Sequence, residues 1–238
     1  MFKTLSQRVI GYCLKITNYK LEISSEGMHK ILRTLILSDI FILGSFGLIQ
    51  PIFAIFIIQG VAGASIASAG IALTIQLFTK AAFQIVVGKW DDEDRGHRHE
   101  LYALTAGSLL ISLIPLGYAL ATRLEYLYFI QFLYGLGSAL TFPSWRIVFT
   151  RYMHHDKQGY EWGVYDTIIS LATAGAAAMG AFIAQQFSFR FLFVIVSVMS
   201  FIGTFFIVRI FKLEFTTIGK PRKNSLAPAS HRHAHRVR

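Results

Sequence analysis

Charge is scarce in this chain. Asp, Glu, Lys and Arg make up 15% of its 238 residues, where an average soluble domain carries roughly 25%. Hydrophobic residues reach 54%, with 21 Phe, and the mean hydropathy is +0.51. A chain so poor in charge belongs to the membrane class. Acidic residues are the scarcer sign, 13 against 23 Lys and Arg, for a net charge of +10. The basic excess collects at the ends and in the linkers, which suits anionic headgroups and orientation signals better than nucleic acid. Cys13 is the single cysteine, so an intramolecular disulfide is excluded. A cleavable signal peptide is not expected, because the first strongly apolar run starts about thirty residues in and is too long for one. The sequence also lacks a Ser–His or Cys–His pairing, a His-Glu-x-x-His motif and a Gly-x-x-x-x-Gly-Lys phosphate loop. An enzyme reading has nothing to rest on, and no cofactor is called for.

What is present is a series of long apolar runs. Ile40 to Thr79 contains no charged residue at all. A membrane-spanning helix needs about 20 residues, so this run holds two, with Gly60 to Ser65 as the turn. The same reasoning predicts six spans, at about 35–58, 66–88, 101–121, 126–149, 164–186 and 189–211. Residues 1–34 form a basic lead-in, either an amphipathic helix on the membrane surface or a plain cytoplasmic segment. Residues 212–238 form a basic tail rich in His, Pro and Ser, expected to be disordered. The N-terminal segment, the 88–98 linker, the Arg151/Lys157 linker and the tail hold nearly all the Lys and Arg, and the opposite loops offer Arg123 and Arg190. That asymmetry predicts an integral protein of the cell (inner) membrane with both termini cytoplasmic. Leu43-Gly44-Ser45 with Pro51 echoes Leu136-Gly137-Ser138 with Pro143, a weak sign of two three-helix units of opposite topology.

The densest charge between two apolar runs lies in Gly88-Lys89-Trp90-Asp91-Asp92-Glu93-Asp94-Arg95-Gly96-His97-Arg98. Gly88 and Asp92 carry the Gly-x-x-x-Asp spacing, and Arg95, Gly96 and Arg98 follow with one residue inserted. Gly47 and Pro51 come earlier, and Gly135-Leu136-Gly137-Ser138-Ala139 precedes Pro143. Gln158-Gly159 and Glu161-Trp162-Gly163 lead into a small-residue helix, and Phe187-Ser188-Phe189-Arg190-Phe191-Leu192-Phe193 opens the last span. From about 33 to 211 the chain resembles the N-terminal six-helix half of a major facilitator superfamily transporter, nearest the drug-efflux branches. The resemblance implies an all-α polytopic six-helix bundle with a 3+3 inverted repeat, which moves a small solute by alternating access. It implies a conformational latch at Gly88, Asp92, Arg95, Gly96 and Arg98, in which the acidic side chain meets a helix terminus of the other half. Charged residues after a span are also a routine topogenic stop. Gln131 stands where the family places an Arg that helps couple protons in many antiporters, and Gly175 to Gly180 lacks the Gly-Pro pair of the antiporter motif. The second half would come from a homodimer or a separate six-helix partner. A non-transporting remnant, assembly subunit or regulatory subunit is the rival reading.

Several residues are candidates to line a substrate cavity. Gln76, Lys80 and Gln84 are spaced four apart and share one helix face. Lys80 faces a cavity or reaches toward the headgroups. Gln50, Gln131, Tyr134 and Trp145 are further cavity candidates, with interhelical packing as the alternative. Few fixed charges on this face favour apolar or amphipathic cargo. Asp39 and Arg146 either pair across the cavity or meet water separately. Ala172, Ala176, Gly180 and Ala184 form a stripe that suits either a dimer seam or packing within one chain. His97, His99, His154, His155, His231, His233 and His235 fall in polar linkers and the tail, and no metal site is expected.

Overall fold

A computed structural model describes residues 30–93 and 98–218, with side chains up to 210. The lead-in before residue 30, Arg95 and Gly96 of the latch, His97 and the tail beyond 218 lie outside the described residues. Regular structure among the described residues is helical. Helix α1 (Lys30–Ile49) passes through a 3-10 turn (Gln50–Ile52) into α2 (Phe53–Gly60), and the three form one 31-residue span. Pro51 accounts for the interruption, since it lacks an N–H and its ring clashes with the carbonyl one turn back. Then come α3 (Ile66–Glu93), α4 (His99–Leu120), α5 (Leu124–Tyr152), α6 (Gln158–Gln186) and α7 (Phe189–Ile218). Helix α6 starts six residues before the predicted 164, and α7 runs on past the predicted end at 211.

Five of these spans are long and apolar enough to cross a membrane, and α5 is not among them. It has the length, 29 residues, but carries Glu125, Gln131, Arg146 and Arg151. Its position explains the composition. Helix α5 is flanked by α3 and α4, so much of its surface meets protein rather than lipid.

The packing order reveals the internal repeat. Helix α1 packs on α7 and α6, α5 packs on α4 and α3, and α4 packs on α7. Exchanging α1 with α5, α3 with α6 and α4 with α7 maps this pattern onto itself. Each three-helix unit therefore gives its middle helix to the first helix of the other unit. Two glycines mark the equivalent crossings. A Cβ on Gly180 of α6 would run into the Leu48 backbone of α1, and one on Gly135 of α5 would lie 2.6 Å from the Gln76 carbonyl oxygen of α3. The stripe at Ala172, Ala176 and Gly180 is thus used within the chain, against Gly44, Gly47 and Leu48, and is not free to form a dimer seam.

Hydroxyls fasten α7. Ser45 and Ser200 lie 2.9 Å apart, Ser112 and Thr204 2.8 Å apart, and Ser197 donates to the Ser112 carbonyl at 2.7 Å. In a lipid setting such bonds hold helices together without hydrophobic drive. The loops at one end meet directly. Ala62 N–H donates to the Thr122 carbonyl at 3.1 Å, and Phe56 packs edge-on against Phe189 with ring centroids 5.7 Å apart. Gly63, with φ of 73°, supplies the left-handed residue that the 61–65 turn requires.

Candidate functional site

Buried carboxylates gather at the opposite end, where α3 leads toward α4. Asp91 is buried and accepts a hydrogen bond from Ser144 of α5 at 2.6 Å. Glu100 of α4 is buried and pairs with Arg151 of α5. Glu161 at the start of α6 accepts from the His154 ring at 2.6 Å and from the His154 backbone N–H at 3.0 Å. His99 stacks on Trp90, with centroids 4.3 Å apart, and donates to the Trp90 carbonyl at 2.9 Å. These contacts close α3, α4, α5 and the start of α6 into a polar seam. Of the predicted latch, Asp92 is exposed, Arg98 is exposed, and Gly88 faces Pro143. Asp91, which the motif spacing passes over, is the carboxylate that engages within this chain.

Asp39 and Arg146 are not paired. Asp39 is buried on α1 and accepts from the Tyr165 hydroxyl of α6 at 2.9 Å, with Trp145 beside the same carboxyl. Around it Trp145, Phe149, Trp162 and Tyr165 stack on one another at centroid distances from 4.5 to 6.0 Å. A carboxyl held this way is a structural tie between α1 and α6, and Trp145 belongs to the same packed box.

Arg146 goes elsewhere. Its guanidinium carbon sits 4.2 Å from the centre of the Phe142 ring, and Lys80 Nζ sits 3.9 Å from the same centre. The register between α3 and α5 shows how they converge. Gly135 lies beside Gln76 and Thr79, and Gly88 lies beside Pro143. Phe142 is therefore level with the residues near 87, about two turns beyond Lys80. Lys80 bends toward the Glu93 end to reach the ring, while Arg146, one turn past Phe142, reaches back. Lys80 is half-buried at the middle of α3, about 20 Å from either helix end. An ammonium at bilayer mid-depth costs about 2.5–3.5 kcal/mol on insertion scales. A cation on a ring face recovers about 0.5–2 kcal/mol, and Arg146 opposes part of it as a like charge. Contacts among the described residues leave Lys80 undercompensated.

Gln76 and Gln84 are half-buried one turn to either side of Lys80. Tyr134 stacks on Phe46 of α1 with centroids 5.3 Å apart. Gln131 is buried, and its Oε1 has no hydrogen-bond partner among the described residues. Gln50 is exposed in the 3-10 turn, apart from the Lys80 group. The structure thus gathers Gln76, Lys80 and Gln84 with Arg146. It adds Phe142, which carried no chemical signal of its own in the sequence. Among the described residues, no group of His, Cys, Asp and Glu could hold a metal ion.

Comparisons with known proteins point one way. The family model described as Major Facilitator Superfamily matches residues 35–236. Among solved structures the fold is similar to that of the POT family transporter PepTSo, in an in meso crystal structure, with a TM-score of 0.61 and 16% sequence identity. The match covers 79% of this chain and 38% of that one, so the chain spans well under half of the transporter it resembles. No curated sequence matches it.

Proposed function

Because the chain belongs to the Major Facilitator Superfamily, we propose that it is one six-helix half of a transporter, moving a small solute by alternating access with a second six-helix unit. A second copy of the chain or a separate partner supplies that unit. The reading rests on uneven burial. Of the apolar windows, 50% is buried in the first span, 50% in α4 and 44% in α7, against 17% in α3 and 11% in α6. The two poorly covered helices are the ones held mainly by a single neighbour, α5 or α1. A second bundle laid against α3 and α6 would cover both and enclose the Lys80 face between the halves. Rocking of two bundles about such a site is how alternating access works in folds of this kind. Exposed Asp92, at the end of α3, is then the latch residue, placed to meet the free N–H groups of a helix terminus in the second unit. The cargo is apolar or amphipathic. The protein sits in the cell (inner) membrane with both termini cytoplasmic, a reading that the Lys and Arg of the linkers support.

The test is flux through proteoliposomes made from the purified full chain, with an anionic and a cationic amphipathic dye as probes. Imposed gradients should drive uptake of at least one dye, and Asp92→Asn should slow it several-fold without lowering thermal stability. Absence of flux under every gradient, with no second six-helix chain crosslinked in native membranes, would reject the proposal. The non-transporting assembly or regulatory role would replace it.

A further inference from the structure

We propose that Lys80 and Arg146, drawn together on Phe142, form a binding site for one anionic group, a carboxylate or phosphate. The inference rests on the cavity reading above and narrows its cargo to amphipathic anions. Two cations from different helices converge on a single ring, one from each direction along the bundle, with Nζ and Cζ at 3.9 and 4.2 Å from its centre. No carboxylate, Asp156 and Asp166 included, forms an ion pair with either cation among the described residues. Asp39 is tied to Tyr165, Asp91 to Ser144, Glu100 to Arg151 and Glu161 to His154. Asp92 and Glu93 lie at the far end of α3, about 18 Å along the helix from Lys80. Glu125 begins α5, about 30 Å along that helix from Arg146. Sharing one ring keeps Nζ and Cζ within about 8 Å of each other; like charges so placed invite an anion, and a guanidinium offers paired N–H donors for a carboxylate or phosphate.

The surroundings fit the same ligand. Gln76 and Gln84 place amides one turn to either side of Lys80 on its own face. Phe142 is exposed and offers an apolar surface between the charges. Backbone contact keeps the pair from drifting apart. Gly135 lets α5 approach α3 so closely that a Cβ there would meet the Gln76 carbonyl and the Thr79 side chain, each at 2.6 Å. The same chemistry is available from two sources, a solute anion or the phosphate of a lipid headgroup. Arg146 lies about 9 Å along α5 from its Tyr152 end, within reach of headgroup depth.

Binding distinguishes the sources without requiring transport. The full chain in phosphatidylcholine nanodiscs is titrated with radiolabelled benzoate, with benzyl alcohol as the neutral control. A parallel sample in phosphatidylglycerol is analysed by native mass spectrometry for retained lipid. A solute site gives saturable benzoate binding, none for benzyl alcohol, and a loss of at least about ten-fold in Lys80→Gln or Arg146→Gln, the effect of one charge-assisted hydrogen bond. Lys80→Arg, which keeps the charge, should retain most of the affinity and shows that any loss is not misfolding. If benzoate does not bind but retained phosphatidylglycerol falls in the Lys80→Gln/Arg146→Gln double variant, the site holds a headgroup. If neither ligand responds to the substitutions, the anion site is refuted. Benzoate binding with no flux, and with no second six-helix chain crosslinked in native membranes, would leave the site standing and sink the transporter reading instead.

Discussion

Glycine 180 offers a quantitative check on the packing. A Cβ there would lie 2.6 Å from both the carbonyl carbon and the Cα of Leu48 and would overlap its carbonyl oxygen as well. Ordinary contacts begin near 3.4 Å and the carbonyl oxygen would lie closer than either carbon, so Gly180→Ala must move α6 off α1 by about 1 Å or more. The atoms in the way are helix backbone, one turn ahead of the Pro51 interruption, and cannot rotate aside. A gap of 0.5–1 Å forfeits about a quarter to a half of each van der Waals contact along the seam. Overpacking of this kind costs about 1–3 kcal/mol. Gly175 of the same helix has nothing within 4 Å of its ideal Cβ, so Gly175→Ala makes the matched control. The helix-propensity gain of Gly→Ala, about 0.5–1 kcal/mol, is common to both variants and cancels. The difference between them is therefore the overpacking itself, about five-fold to more than a hundred-fold in the folding equilibrium. Reversible unfolding in mixed micelles, with circular dichroism as the readout, measures it. Equal stability of the two alanine variants would show that α6 does not pack on α1 at Leu48.

Two further outcomes follow from the seam and the loops. Ser144→Ala leaves the buried Asp91 carboxyl without its donor and should cost about 1–3 kcal/mol, whereas Asp92→Asn at the exposed neighbour should stay within about 0.5 kcal/mol; thermal melts of the two variants check both. Accessibility tags at Gly63, Arg123 and Phe187 should be modified from one side of the membrane, opposite to tags at the termini, because the first two loops are hydrogen-bonded through Ala62 and Thr122 and the third is joined to them by Phe56 and Phe189.

The spans were legible because lipid leaves a plain mark on sequence: charge disappears for twenty residues and returns in the linkers. What happens between helices left less trace. Pro51 breaks its helix while Pro115 and Pro143 sit inside theirs, and the residue alone does not announce which it will do. The echo of Leu43-Gly44-Ser45 in Leu136-Gly137-Ser138 suggests a repeat, yet Gly44 faces α6 and Gly137 faces α4, which are not equivalent under the internal symmetry. On α5 the glycine in the equivalent seam is Gly135, facing α3. Asp91 and Asp92 show the same limit at a single site. Motif spacing selects Asp92, but neighbours on a helix point about 100° apart, and only Asp91 is turned toward Ser144. Lys80 stood out by its depth alone. Its meeting with Arg146 could not be read, because it depends on the relative register of α3 and α5, which no pattern within either helix encodes.

The exchange of middle helices between the two units bears on how the chain is made. Helices α3 and α4 are neighbours in sequence but scarcely touch, and α1 finds its main partners in α6 and α7. A ribosome that has delivered the first three spans has delivered no finished subassembly, since each is still waiting for a mate from later in the message. Insertion and assembly must therefore be separated in time. The span made of α1 and α2 has to persist as a lone rod in the bilayer until α6 and α7 arrive, and its charge-free run from Ile40 to Gly60 equips it for that wait.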